Sequence, residues 1–177
     1  MRSVLLTLTF VVVISTAPAS AIDIQEAYDA CGSANGYDKY LELDPDETYT
    51  GWLIVDSGKD SCIAGNGATI QIDSGKTIRA LNSGTKLDID HTAIYCDGTG
   101  WGISYLSGAN GTINFCTIDY FMYGVYAWGP SNVTLKNSIV TNNTEYGVAK
   151  EEYTPMYISY VDAWGNAHGN YYEYCSG

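Results

Sequence analysis

Asp90, Asn114 and Lys136 stand 24 and then 22 residues apart in the middle of this chain. A repeat of that length sets the three side chains one above another, about 4.8 Å apart, on the outside of stacked parallel strands. Asp88, Thr112 and Thr134 make a second file two residues earlier. Carboxylate, amide, ammonium and hydroxyl in such files can hydrogen-bond a sugar chain laid along the stack. An ordinary solvated face tolerates the same residue types. Aromatic residues strengthen the sugar reading: sixteen tyrosines and four tryptophans are present, with Tyr95, Trp101, Tyr120, Tyr123, Tyr126 and Trp128 crowded around Asp119. The order Gln71, Tyr95, Asp119, Thr141, Trp164 forms another file, in which flat rings suit the apolar faces of sugars and polar groups take their hydroxyls. The candidate glycan-binding residues are therefore Asp90, Asn114, Lys136, Tyr95 and Asp119. No catalytic residue and no metal-ligand set is identified. His91 aligns with Phe115, Asn137 and Tyr160, a packing or turn position, and His168 lies in a polar loop.

Composition narrows the chemistry further. The formal net charge is −12, which disfavours nucleic acid and anionic lipid, since both are bound through clustered cations. A uronate lyase needs acidic ligands holding Ca2+ on the substrate carboxylate, with a basic residue beside them. Lys136 is the one base near the acidic file, and Arg79, the sole arginine after residue 21, lies in the earlier part of the chain. No cofactor is expected, and Ca2+ enters only if the chain is a lyase. Five cysteines, Cys31, Cys62, Cys96, Cys116 and Cys175, show no C-x-x-C or Cys/His zinc spacing and read as structural disulfides with one thiol left over.

These residues are positioned by a repeat. One apolar column runs Ile89, Ile113, Leu135, Ile158; a second runs Ile70, Ile94, Ile118, Val140, Ala163; a third runs Val55, Ile78, Ile103, Val125, Val148. Each recurs at about 23 residues, and three short β-branched strands per coil predict a triangular parallel β-solenoid. Polar residues alternate with the apolar ones, as in Asp88-Ile89-Asp90. Gly102, Gly124 and Gly147 precede the third strand, where a corner needs positive φ or close backbone approach. Asn110-Gly111 and Pro130 to Asn132 read as turns.

The ends differ from the middle. Arg2, an apolar run from Val4 to Ile14 and Ala19-Ser20-Ala21 predict a secretory signal peptide over residues 1–21, too short in its apolar core to span a bilayer. Its removal takes Arg2 with it and leaves a charge of −13. Ile24, Ala27, Tyr28 and Cys31 follow helical spacing, so residues 22–40 form an N-terminal cap with a short helix over Asp23 to Ala30. Residues 41–177 form the solenoid. The tyrosine-rich tail either folds over the last coil or marks a truncated copy of a longer chain.

GNGATI at Gly65 to Ile70 and TLKNSIVTNN at Thr134 to Asn143 resemble coils of the pectate-lyase-like superfamily. YVDAWGNAHGNYY at Tyr160 to Tyr172 is similar to a motif of secreted β-helix proteins in which further sequence follows. The resemblance covers about Leu41 to the C-terminus and implies an all-β, right-handed parallel β-helix of about five coils with a short N-terminal capping helix. That superfamily includes polysaccharide lyases, hydrolases and epimerases as well as adhesins, so the fold alone does not give a function. The N-T-D, D-D, G-H-G and R-I-K motifs of the polygalacturonases are missing here. The expectation is a secreted or cell-surface module, glycan-binding or structural and not catalytic, with polysaccharide as its partner and neither membrane span nor nucleic acid. A polysaccharide lyase or hydrolase with its active site weak or on missing coils is the alternative.

Overall fold

The computed structural model describes residues 21–175 apart from Ser57, so the expected signal peptide lies, but for Ala21, outside the described residues. The chain winds into a solenoid with three sides. The first carries Lys39–Glu42, Asp60–Ala64, Lys86–Asp90, Asn110–Asn114 and the near halves of Asn132–Thr141 and Met156–Trp164. On the second lie Ile22–Asp23, Thr48–Gly51, Thr69–Ile72, Ala93–Tyr95, Thr117–Asp119 and the far halves of those two long strands. The third holds Leu53–Val55, Ile78–Leu81, Trp101–Leu106, Tyr123–Ala127, Tyr146–Lys150 and Gly169–Tyr171. The strand pairs within each side are parallel, and the chain makes about six turns rather than five. Leu41 and Ile63, stacked below Ile89, are the earlier members that lengthen the first column.

The first two apolar columns stand in register as the sequence predicts, with Ile113 between Ile89 and Leu135, and Ile118 between Ile94 and Val140. The third needs a correction. Ile78 stacks on Leu53, and Val55 stacks under Ala80, a slip of two residues that leaves both side chains inward. A coil with a longer turn, here Asp73 to Lys76 closed by the Lys76 N–H on the Asp73 carbonyl, breaks a fixed 23-residue count.

Two corner files turn the chain. His91, Phe115, Asn137 and Tyr160 all adopt left-handed φ between the first and second sides. Tyr120, Asn142 and Gly165 do so between the second and third. Just past the latter, Asn143 Oδ1 accepts the Phe121 N–H at 2.9 Å, and Asn166 Oδ1 accepts the Asn143 N–H at 3.0 Å. This buried amide ladder satisfies backbone groups that the corner withdraws from the strands. Gly102, Gly124 and Gly147 have no positive φ; they are glycine because coils approach closely, a Cβ on Gly102 standing 2.2 Å from the Gly124 carbonyl oxygen. Asn110-Gly111 is a second correction, since it begins a strand and the turn is made by Ser107 and Gly108, both at positive φ.

The helix α1, Ile24–Ala30, covers the N-terminal end. Asp23 caps it by accepting the Glu26 N–H at 2.9 Å, and Ile24 and Tyr28 are buried against the first coil. The expected disulfides are absent: all five cysteines are free thiols. Cys31 and Cys175 sit at opposite ends of the stack, while Cys96 and Cys116 use their thiols as weak donors to the carbonyls of Asp73 and Asn114. Burial pushes the Cys116 thiol up to about 12, so it stays protonated and inert.

At the C-terminal end the tail supplies a third-side strand, Gly169–Tyr171, rather than a lid. Met156, Ile158, Val161 and Ala163 face the core yet are only half-buried. Protection from native-state hydrogen exchange is therefore expected to fall steadily from the Ile113 coil to the Ile158 strand, by several kcal/mol of local opening free energy or about the whole global stability at the last strand. Equal protection at Ile113 and Ile158 would show that the last coil is as firmly held as the middle.

Candidate functional site

The candidate residues named by spacing fall into two files on different sides. Asn114 pairs in register with Asp90 below and Lys136 above on the first side. Asp119 pairs with Tyr95 below and Thr141 above on the second. The corner file of His91, Phe115 and Asn137 separates them, so the five do not share a pocket.

Each file is tied into the fold. Asn114 Nδ2 donates to Asp90 Oδ1 at 2.9 Å, and Asn114 Oδ1 accepts from Asn137 Nδ2 at 2.9 Å. Asp90 Oδ2 lies 2.9 Å from His91 Nδ1, and the exposed His91 ring stacks on Phe115 with centroids 4.6 Å apart. Tyr95 Oη donates to Gln71, and Asn142 Nδ2 donates to Asp119. Asp88 has a structural task. It accepts the Thr112 N–H at 2.8 Å, the Tyr37 hydroxyl at 2.7 Å and the Lys86 ammonium at 2.8 Å. Tyr37 thus latches the N-terminal loop over the first side, closing a shallow hollow of about 230 Å3 above Cys62. Burial is the main reason the Cys62 thiol is raised to about 11, with the Asp88 charge adding to it.

A larger concavity, of about 730 Å3, lies on the third side near the C-terminal end. Tyr123 and Tyr126 come from one strand, Ala149 and Lys150 from the next, Glu151 to Thr154 from the following turn, and Tyr172 and Tyr174 from the tail. The turn is fixed by the Thr154 hydroxyl on the Gly129 carbonyl at 2.7 Å and by the Glu151 N–H on the Ala127 carbonyl at 3.2 Å. The tail is fixed by the Tyr172 N–H on the Val148 carbonyl and the Cys175 N–H on the Tyr172 carbonyl. Both parts are therefore shaped before any ligand arrives.

A series of rings runs along the third side, of which Tyr123, Tyr126, Tyr172 and Tyr174 line the groove. Trp101 and Tyr126 centroids are 4.7 Å apart, Tyr123 and Tyr146 are near-parallel at 6.3 Å, Tyr146 meets Tyr172 at 5.1 Å, and Tyr172 meets Tyr174 at 5.8 Å. The Arg79 guanidinium lies 5.9 Å from the Trp101 ring centre, which places this arginine at the head of the series. Burial raises the Tyr126 hydroxyl above its ordinary range, with the Glu151 charge contributing, so the phenol stays neutral and can donate. Such a surface offers ring faces for stacking, phenol donors, and carboxylate acceptors at Glu151 and Glu152. His168, for which the sequence shows no partner, contacts Glu145 and packs its ring edge-on to Tyr146 beside the series. Among the described residues, no group of three or more His, Cys, Asp or Glu side chains is placed to hold a metal ion, and no helix is long and apolar enough to cross a membrane.

Spacing missed this groove because Tyr123, like Trp101 and Tyr146 beside it in the ring series, lies two residues before an inward residue of its strand, Val125, Ile103 and Val148 respectively. Simple alternation points them inward. They are the first residues of their strands and are only half-buried, their rings packing on one another and on Tyr126. The in-register recurrence of three aromatic residues was the available signal.

The model for the right-handed β-helix region matches residues 78–177, more than half of the chain. The chain belongs to the right-handed β-helix family. The pectate-lyase-like superfamily stands as the coarse assignment for this β-helix. Neither the search of curated proteins nor the search of solved structures gave a match. In β-helix proteins right-handed crossovers follow from strand twist, as in parallel sheets generally. The groove lies within the matched residues.

Proposed function

We propose that this β-helix protein is secreted or displayed at a cell surface and binds glycan without turning it over. The observation that carries the reading is the third-side groove, in which fixed tyrosine rings and carboxylates line a concavity of a size that holds a few sugar residues. The signal-like residues 1–21, with the apolar run Val4 to Ile14 and Ala19-Ser20-Ala21, support export.

The test is binding of the purified protein to a panel of soluble oligosaccharides by titration calorimetry. Tyr126→Ala is expected to weaken binding roughly two- to twelvefold, the loss of one ring contact of about 0.5–1.5 kcal/mol. Tyr95→Ala and Lys136→Ala are run beside it. Loss in Tyr95→Ala with none in Tyr126→Ala would move the ligand to the second side. Uronate polymers with and without calcium are assayed for unsaturated product, and calcium-dependent turnover abolished by Lys136→Ala would overturn the non-catalytic reading in favour of a lyase. Absence of binding to every glycan would leave a structural module.

A further inference from the structure

We propose that the third-side groove selects sugar chains bearing free amines over neutral and uronate chains. This rests on the glycan-binding reading and names its ligand class. Glu151 and Glu152 line the groove and are exposed, and neither forms an ion pair among the described residues. Lys150, the cation in the lining, is engaged with the turn backbone: its ammonium donates to the carbonyls of Glu151 and Glu152, at 3.4 Å each. Glu173 stands between Tyr172 and Tyr174 in the chain. Its charge raises the Tyr172 hydroxyl, and its hydrogen bond raises that of Tyr174, with Glu152 adding to the latter. The carboxylate field therefore reaches the rings that a ligand would touch.

An ammonium group in this groove gains twice. The faces of Tyr126, Tyr172 and Tyr174 attract a cation through the ring quadrupole, and the rim carboxylates add direct charge pairing. An acetylated amine keeps the ring stacking and loses both cationic contributions. A uronate chain meets Glu151 and Glu152 on a molecule whose net charge is already −12, and like charges facing each other are unfavourable. The rings of Tyr123, Tyr146 and Tyr172 follow successive coils along the solenoid axis, a direction that suits a linear polymer.

The experiment titrates the intact protein with a glucosamine oligomer, its fully N-acetylated counterpart of equal length, a galacturonate oligomer and a lysine oligomer. The glucosamine oligomer is expected to bind about tenfold or more tighter than the acetylated one, and the galacturonate oligomer weakest. The preference should shrink as salt is raised and as the ligand amines lose their protons in mildly alkaline buffer. Glu151→Gln combined with Glu152→Gln should bring the two glucosamine-type oligomers within about threefold of each other, while Tyr126→Ala weakens both, the glucosamine oligomer more because it loses a cation–ring contact as well as the stacking. Circular dichroism of each variant checks that these exposed substitutions leave the fold intact. Equal binding of amine and acetylated chains, or a preference that survives the double glutamine variant, would overturn the selection and leave glycan binding standing. A lysine oligomer binding as tightly as the glucosamine oligomer would overturn the sugar part of the proposal. Binding of none of the saccharides would overturn the glycan reading itself.

Discussion

An Ile118→Asp variant is expected to give no folded protein. Ile118 has no solvent exposure and sits between Ile94 and Val140 in the middle of the second column. Removing its side chain forfeits about 2–5 kcal/mol of burial and leaves a cavity. The carboxyl that replaces it is stacked between the aliphatic Ile94 and Val140 and must either stay charged in a low-dielectric core or take up a proton, each at a cost of several kcal/mol. Together these losses match the roughly 5–15 kcal/mol by which a domain of this size is stable. Thr117→Asp is the control, because Thr117 is half-exposed on the outer face and should shift the urea midpoint little. The measurement is circular dichroism with urea unfolding on both variants. A cooperative transition for Ile118→Asp at the parent's midpoint would mean that this column does not face the core.

The architecture was legible in the sequence because inward aliphatic residues repeat wherever strands stack, and stacking fixes strand length. Turns are not fixed in that way. The Val55 misalignment came from counting a constant period across the longer turn at Asp73 to Lys76. Asn110-Gly111 looked like a turn from its composition, yet its glycine answers to packing between coils. The cysteines suggested disulfides from their number, while their placement along the stack makes three of them buried fillers. The first- and second-side files were legible as files, but spacing could not say that Asp88 and Asn114 spend their hydrogen bonds inside the fold. The groove was the least legible feature. It depends on the turn at Glu151 to Pro155 and on a tail that docks through backbone hydrogen bonds, and neither follows the repeat.

Gly111→Ala, a change of one methyl group, is expected to destabilise the protein by about 3 kcal/mol or more, the upper end of what overpacking costs. The register around Gly111 explains why. Bridges join Asn110 to Lys86 and Ile113 to Ile89, but between them the ladder opens. There the Thr112 N–H is accepted by the Asp88 carboxylate, and the Leu87 carbonyl accepts the Tyr105 hydroxyl at 2.7 Å. Tyr105 is fully buried, and its ring occupies the space that a side chain at position 111 would need. A Cβ there would stand 1.9 Å from the Leu87 carbonyl oxygen and 2.7 Å from Tyr105 Cε1. The backbone of the lower coil has to move, and that movement strains the two hydrogen bonds that repair the ladder. Val133, directly above Gly111 in the next coil, shows that the column itself accepts a side chain; the restriction is local to the Tyr105 insertion. Tyr105→Phe provides the comparison. It keeps the ring and leaves the buried Leu87 carbonyl without this partner, a loss of about 1–3 kcal/mol. Urea midpoints of the two variants check the order: Gly111→Ala should fall further than Tyr105→Phe, and a Gly111→Ala protein as stable as the parent would show that the strands Lys86–Asp90 and Asn110–Asn114 are not held apart at this point by the buried tyrosine.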